Sequence, residues 1–177
     1  MQAIQLDENL IIRMAGGDGS AFRELYEQTA SAVYGFALSI LKNTHDAEDV
    51  MHDAFVKAYT AAVTYKPMGK PVAWLLTIVR NLCYNRIRAG KVCEDISEYE
   101  DFARTEHDEI EDRIVLEKAM NILGFEERQI VILHALTGLK HREIAEILEL
   151  PTGTVLSKYN RALKKMKTEI EGKGEAK

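Results

Sequence analysis

Proline and cysteine are scarce in this chain of 177 residues, with three of the first and two of the second. A collagen-like repeat is excluded by the first count, and a disulfide scaffold by the second. Cys83 and Cys93 have no C-x-x-C or His-rich companion spacing, which favours reduced thiols in a cytoplasmic setting. No apolar run approaches the roughly 18 residues that a membrane span needs, so no membrane insertion is expected. The first ten residues carry Asp7 and Glu8 and lack the basic-then-apolar order of a secretory signal. Gly-rich phosphate loops and nucleophile motifs are missing too. What remains, 46% hydrophobic and 29% charged, is an ordinary globular composition long enough for one medium domain or two small ones.

The net charge of −5 argues, taken whole, against a nucleic-acid partner. Its distribution argues otherwise. Residues 1–53 sum to −6, and residues 54–93 contain no Asp or Glu and sum to +7. Residues 94–127 sum to −10 and residues 128–177 to +4. Two basic blocks are therefore separated by an acidic one, although a charge run by itself can be no more than a solvated face.

Periodicity predicts an all-helical fold. From Ser20 to Lys42 the apolar residues Phe22, Leu25, Tyr26, Val33, Phe36, Ala37, Ile40 and Leu41 recur at helical steps. Asp18 or Ser20 is placed to cap this helix, and Gly16-Gly17 to end a shorter one before it. A second helix fits residues 46–63, with Val50, Ala54, Phe55, Ala58 and Tyr59 inward. A third fits residues 71–89, with Pro71 in its first turn and Leu75, Ile78, Val79 and Leu82 on one side. The pattern fails between residues 90 and 109, where the run Glu94 to Asp101 is acidic and poor in aliphatic side chains. It resumes through Ile110, Ile114, Ala119, Leu123 and Ile130. The expected organisation is two small helical domains, 1–92 and 112–172, joined by a flexible acidic linker over 93–111, with a tail at 173–177.

The C-terminal domain carries a helix-turn-helix pattern. His141 to Leu148 is a short amphipathic helix, Pro151 prevents its continuation, and Thr152 can cap a longer basic helix. Val155, Tyr159, Ala162, Met166 and Ile170 would face the core. Thr154, Ser157, Lys158, Arg161, Lys164 and Lys165 would offer hydroxyls and cations to duplex DNA. In the N-terminal basic block, Lys66, Pro67, Met68, Gly69 and Lys70 form a loop stiffened by proline. A helix bearing Arg80, Asn81, Asn85, Arg86 and Arg88 follows, with Trp74 set among core positions. Cations for a backbone and amides for base edges suit melted nucleic acid.

These residues together resemble bacterial RNA polymerase sigma factors of the sigma-70 family, specifically the extracytoplasmic-function (ECF) group. The carriers are Gly17-Asp18 with Ala21-Phe22, Asp46-Ala47-Glu48-Asp49-Val50 with Asp53-Ala54-Phe55, and Ala73-Trp74-Leu75 leading to Arg80-Asn81-Leu82 and Arg88. Glu143-Ile144-Ala145 with Thr154-Val155, Ser157 and Arg161-Ala162 completes the set. The resemblance implies that 1–92 is region 2, a helical bundle, and 112–172 is region 4. It implies that Asp46, Glu48, Asp49, Asp53 and Phe55 dock on the β′ coiled coil of core RNA polymerase. It assigns Lys66, Pro67, Met68, Gly69, Lys70, Asn81, Asn85 and Arg88 to the melted non-template strand of the −10 element, and Thr152, Gly153, Thr154, Ser157, Lys158, Arg161 and Lys165 to duplex DNA at the −35 element. Region 4 would also meet the β flap, the acidic linker would enter polymerase channels, and an anti-sigma factor would hold the protein inactive. A stress-responsive regulon is implied, with no cofactor and no catalytic residue. Asn85, His52, Lys158 and Leu156 depart from residues frequent in that family.

Two other functions bear on the same residues. His45-Asp46 and His52-Asp53 fall seven residues apart, on one side of a helix, as in a metal-dependent phosphohydrolase, but further ligands at suitable spacing are missing. A helix-turn-helix regulator working without polymerase would leave the opposed charges of the N-terminal domain unexplained.

Overall fold

A computed structural model describes residues 4–90 and 120–171 of the chain. The expected linker, the positions Ile110, Ile114 and Ala119, and the tail lie outside the described residues. Within them the chain is helical and has no strand, as the periodicity predicts. The helices are α1 (Glu8–Ala15), α2 (Gly19–Leu41), α3 (Thr44–Ala61), α4 (Pro71–Arg88), α5 (Phe125–Thr137), α6 (His141–Leu148) and α7 (Thr152–Glu171), with a single 3-10 turn at Ala62–Thr64.

Short polar side chains start the first three helices. Asp7 accepts from the Asn9 amide at 2.9 Å, Asp18 from Ser20 at 2.9 Å, and Asn43 from Asp46 at 2.9 Å, each satisfying a backbone N–H that the first turn leaves without a helical partner. Asp18 is thus the cap of α2, and it also holds Arg13 at 2.7 Å across the Gly16-Gly17 turn. Pro71 occupies the first turn of α4, where its missing N–H costs nothing. α7 departs from expectation, because Thr152 is its first residue rather than its cap. The amides of Thr154 and Val155 donate instead to the Pro151 carbonyl, at 2.9 and 3.1 Å.

α2 is the spine of the molecule, with Leu25, Val33, Phe36 and Ala37 wholly buried. α1, α3 and α4 pack on it, and so does α5 from the C-terminal half. Ile130 and Leu133 of α5, Ile144 and Ile147 of α6 and Val155 of α7 therefore join one contiguous apolar core with Leu25 and Phe36. Val131, Ile132 and Ala162 form a smaller cluster with Met120 and Leu123 on the other side of α5. Both faces of α5 are consequently covered, and even Gln129 is 1% exposed. Tyr59 and Ile170, expected inside, are 42% and 47% exposed; Tyr59 meets Phe22 of α2 edge-on at 5.7 Å and leaves the rest of its ring to solvent. Ile78, Leu82 and Trp74 are half-buried at the rim of the core. Cys83 is buried, and loss of solvent pushes its thiol pKa up to about 12, which leaves it inert.

The helix-turn-helix is held by three rings. His134 of α5 stacks on His141 of α6 with centroids 5.1 Å apart, and Tyr159 of α7 meets them edge-on at 4.9 and 4.7 Å. His134 Nδ1 donates to the Leu139 carbonyl at 2.9 Å, which sets its tautomer. Burial, together with the nearby charge His134 would carry, holds the His141 pKa below its ordinary 6.5.

Two outcomes are expected. Because α2 and α5 share a core, Ile130→Ala should destabilise the N-terminal half as well, by about 2–4 kcal/mol. Urea unfolding followed through Trp74, the single tryptophan, measures this; two independent halves would leave the Trp74 transition unmoved. For His141 the unfolded chain binds the proton more readily than the fold, so stability is complete above about pH 6.5 and falls as pH drops through that value. The lowered carboxylates Glu8, Glu127 and Glu146 lose their contribution only further down, below their ordinary 4.5. Thermal melts between these limits should therefore flatten with pH in His141→Gln.

Candidate nucleic-acid interface

α3 carries the acidic block and divides it between interior and surface. Asp46, in the first turn, is 3% exposed and sits 2.5 Å from the Arg86 guanidinium of α4. Asp49 meets the same guanidinium at 2.9 Å. Burial opposes the charge on Arg86, but the two carboxylates more than offset it and raise its pKa. Phe55 is buried as well, tilted against Tyr26 at 4.7 Å and edge-on to Phe22 at 6.3 Å. Glu48, Asp49 and Asp53 are the members of the predicted set that reach solvent, while Asp46 and Phe55 fix the helix from within. Beside them runs an apolar stripe that sequence reasoning missed: Val56, Tyr59 and Val63, 65%, 42% and 74% exposed. The signal for it was their spacing, one helical face over two turns, obscured by assigning Tyr59 to the core.

The loop between the 3-10 turn and α4 presents its side chains to solvent. Lys66, Pro67, Met68 and Gly69 are exposed, Met68 by 75%. Gly69 adopts φ +69°, a conformation that favours glycine, and turns the chain toward α4. Asn81, Asn85 and Arg88 follow on one exposed face of that helix, four and then three residues apart. The eight predicted residues thus lie on the loop and on one face of the helix that follows it, all exposed except the half-buried Lys70. Arg80 lies beside them, stacked over the Tyr84 ring at 4.9 Å. Tyr65, just before the loop, packs edge-on against Trp74 at 4.9 Å.

On α7 the predicted residues separate. Thr152, Gly153, Ser157 and Arg161 are exposed, and Thr154 is half-buried. Lys158 is turned toward α5 and pairs with Glu126 at 2.8 Å. Lys165 pairs with Glu127 at 2.6 Å. Burial would raise the pKa of Glu127, but Lys165 and the Gly124 amide hold it below its usual value. Lys165 therefore fastens α7 to the start of α5. Asn160 and Lys164 occupy the exposed face instead, continuing the line from Gly153 through Leu156 and Ser157. Asn160 could have been found from that spacing, since an amide in line with Ser157 is a base-edge donor and acceptor.

Two of the basic groups in the N-terminal region are held by carboxylates of the helix-turn-helix. Lys70 Nζ lies 2.7 Å from Glu146 of α6, and Arg80 lies 2.9 Å from Glu149 in the turn before α7. Glu149 itself has φ +55°, the left-handed conformation that ends α6. Lys70 is thereby engaged where Lys66 and Arg88 are exposed. Among the described residues no group of three or more His, Cys, Asp and Glu is placed to hold a metal ion. Asp46, which would have belonged to such a group, is committed to Arg86. No described helix is long and apolar enough to cross a membrane.

Comparison with known proteins agrees with both halves of this description. Residues 25–92 match the sigma-70 region 2 family and residues 113–166 match sigma-70 region 4, together well over half the chain. The chain is 29% identical over 172 residues to the ECF RNA polymerase sigma factor SigW of Bacillus subtilis, covering 87% of this chain and 91% of that one. It is 28% identical over 182 residues to the ECF RNA polymerase sigma-E factor of Haemophilus influenzae, covering 93% and 95%. Two solved structures share its fold at 24% identity. They are CnrH in complex with the cytosolic domain of CnrY (TM-score 0.69, covering 94% of this chain and 97% of that one) and RpoE of Bartonella quintana in complex with the anti-sigma factor NepR (TM-score 0.70, covering 85% and 96%). With the region 2 and region 4 matches falling on the two basic surfaces in their expected order, the chain belongs to the sigma-70 family of RNA polymerase sigma factors, in its ECF group.

Proposed function

We propose that this sigma factor divides promoter recognition between its two exposed basic surfaces, with the acidic face of α3 holding core polymerase. A sigma factor of this family initiates transcription by bringing core RNA polymerase to promoter DNA and is not itself an enzyme class. The observation that carries the finer assignment is the separation of paired from exposed polar groups. Lys66, Met68, Asn81, Asn85 and Arg88 lie exposed on one surface, and Ser157, Asn160, Arg161 and Lys164 on another.

The chemistry of each surface suits its target. Unstacked bases need apolar and amide contacts at close range, which Met68, Asn81 and Asn85 supply, while Lys66 and Arg88 meet the backbone of the melted −10 strand. A helix entering the major groove reads base edges with its first turns, where Gly153, Ser157 and Asn160 stand. Arg161 and Lys164 then reach the −35 phosphates. Glu146 and Glu149 sit where phosphates would approach Lys70 and Arg80; the solvent-facing Lys70–Glu146 pair is of a kind worth about 0–1 kcal/mol and is readily exchanged for DNA.

On α3, Glu48, Asp49 and Asp53 beside Val56 and Tyr59 form a mixed acidic and apolar face suited to the β′ coiled coil. By analogy with RpoE bound to NepR, an anti-sigma factor would restrain this chain, which acts in the cytoplasm on a stress-responsive regulon. Residues 93–111 would enter the polymerase channels, and region 4 would rest on the β flap.

Run-off transcription from a genomic library with core polymerase tests the proposal as a whole: initiation should depend on this chain at a defined set of promoters, and none at all would refute it. Arg161→Ala should weaken duplex binding and make the slope of log K against log salt shallower by about 0.9, the share of one phosphate. Lys165→Ala should instead lower the melting temperature with little change in that slope, since its partner is Glu127. Asp53→Lys should weaken core polymerase binding by about tenfold while leaving duplex binding by the free chain unchanged.

A further inference from the structure

Glu8, in the first turn of α1, lies 57 to 61 residues from the groups it binds. Its Oε1 atom accepts three hydrogen bonds at once: from the Tyr65 hydroxyl at 2.5 Å, from the Met68 amide at 2.8 Å and from the Gly69 amide at 2.9 Å. All three donors belong to the Tyr65 to Lys70 segment. Two consecutive amides converging on one anion form a small anion-binding concavity, and the left-handed Gly69 is what turns its N–H inward. The bonds hold Glu8 ionised, its pKa lowered first by the Tyr65 hydroxyl and then by the Gly69 and Met68 amides.

The contact has a cost that makes a purely electrostatic role unattractive. A carboxylate beside Lys66 and Lys70 subtracts from the positive charge that would draw a DNA strand. What it supplies in return is shape. With Pro67 and Pro71 limiting the backbone on either side, Glu8 fixes the two peptides between them and so the direction in which Met68 leaves the loop. Tyr65, held by the same oxygen, packs on Trp74 and ties the loop to α4.

We propose that Glu8 is a positioning residue for strand capture: it pins the Met68-Gly69 peptides so that the Lys66 to Lys70 loop is preformed for the melted −10 strand. The assignment rests on the reading of that loop as the −10 surface. Glu8 lies in α1, ahead of the region 2 match at residues 25–92. Preforming the loop spares the ordering cost otherwise met on binding.

The test uses full-length chain assembled with core RNA polymerase. The probes are a fluorescent random-sequence pool of single-stranded DNA and a random-sequence duplex pool. Glu8→Ala should weaken single-strand binding by about tenfold and reduce the sequence enrichment of the selected pool, with duplex and core binding unchanged. Glu8→Gln, which retains an acceptor oxygen without the charge, should recover part of the loss. Tyr65→Phe removes one donor without touching α1 and should give a smaller loss in the same direction. In both Glu8→Ala and Tyr65→Phe the Trp74 emission should shift as the Tyr65 contact loosens. Unchanged or tighter single-strand binding in both variants overturns the proposal, because removing a carboxylate would then act only through charge. If Lys66→Ala and Met68→Ala also leave single-strand binding unchanged, the reading of the loop itself is overturned.

Discussion

The packing of α5 on α2 is the contact on which the arrangement of both halves depends. α2 is long enough to offer α1, α3 and α4 one side and α5 another, and its buried residues from Leu25 to Leu41 are apolar on more than a single stripe. A helix of that kind must be covered on several faces. Because α6 and α7 fold around α5 through the His134, His141 and Tyr159 rings, their position relative to the N-terminal bundle follows from the α5 contact. So does the meeting of Lys70 with Glu146 and of Arg80 with Glu149, groups that are more than 65 residues apart.

Which charges are committed within the fold follows from this packing. Asp46 and Arg86 pair at the α3–α4 interface, and Asp49 meets the same guanidinium from the exposed side, so removing Arg86 would take the counter-charge from both carboxylates. Glu127 and Lys165 pair between α5 and α7. The groups left exposed, Glu48 and Asp53 on one helix and Arg88, Arg161 and Lys164 on others, keep their hydration and remain open to a partner. The molecule thus spends some of its charge on internal geometry and presents the rest as separate acidic and basic surfaces.

Much of the architecture was legible because helical periodicity is local. The apolar positions of α2, α3 and α4, the cap Asp18 and the break at Pro151 each depend on residues within one or two turns. The cap Asn43 went unnoticed, as its capped helix begins two residues before the expected start. Side-chain commitments were less legible. Lys158, Arg161 and Lys165 look alike along the sequence, yet Lys158 and Lys165 face Glu126 and Glu127 while Arg161 faces solvent. Tyr59 reads as core by spacing yet is 42% exposed, although its ring meets Phe22 of α2 edge-on. Glu8 carried no sequence signal at all, since its role arises from a loop that begins 57 residues later.

By itself the sequence determined the all-helical class and the segregation of charge into alternating blocks, since composition and short-range periodicity are enough for these, and its ordered motifs carried the resemblance that marks the two family regions. Tertiary structure alone decided that the two halves share a core, which cations are paired, and which acceptor shapes the loop ahead of α4. The physical reason is that hydrogen bonds and ion pairs act over a few ångströms in space, without regard to distance along the chain, so their partners exist only once the helices have packed.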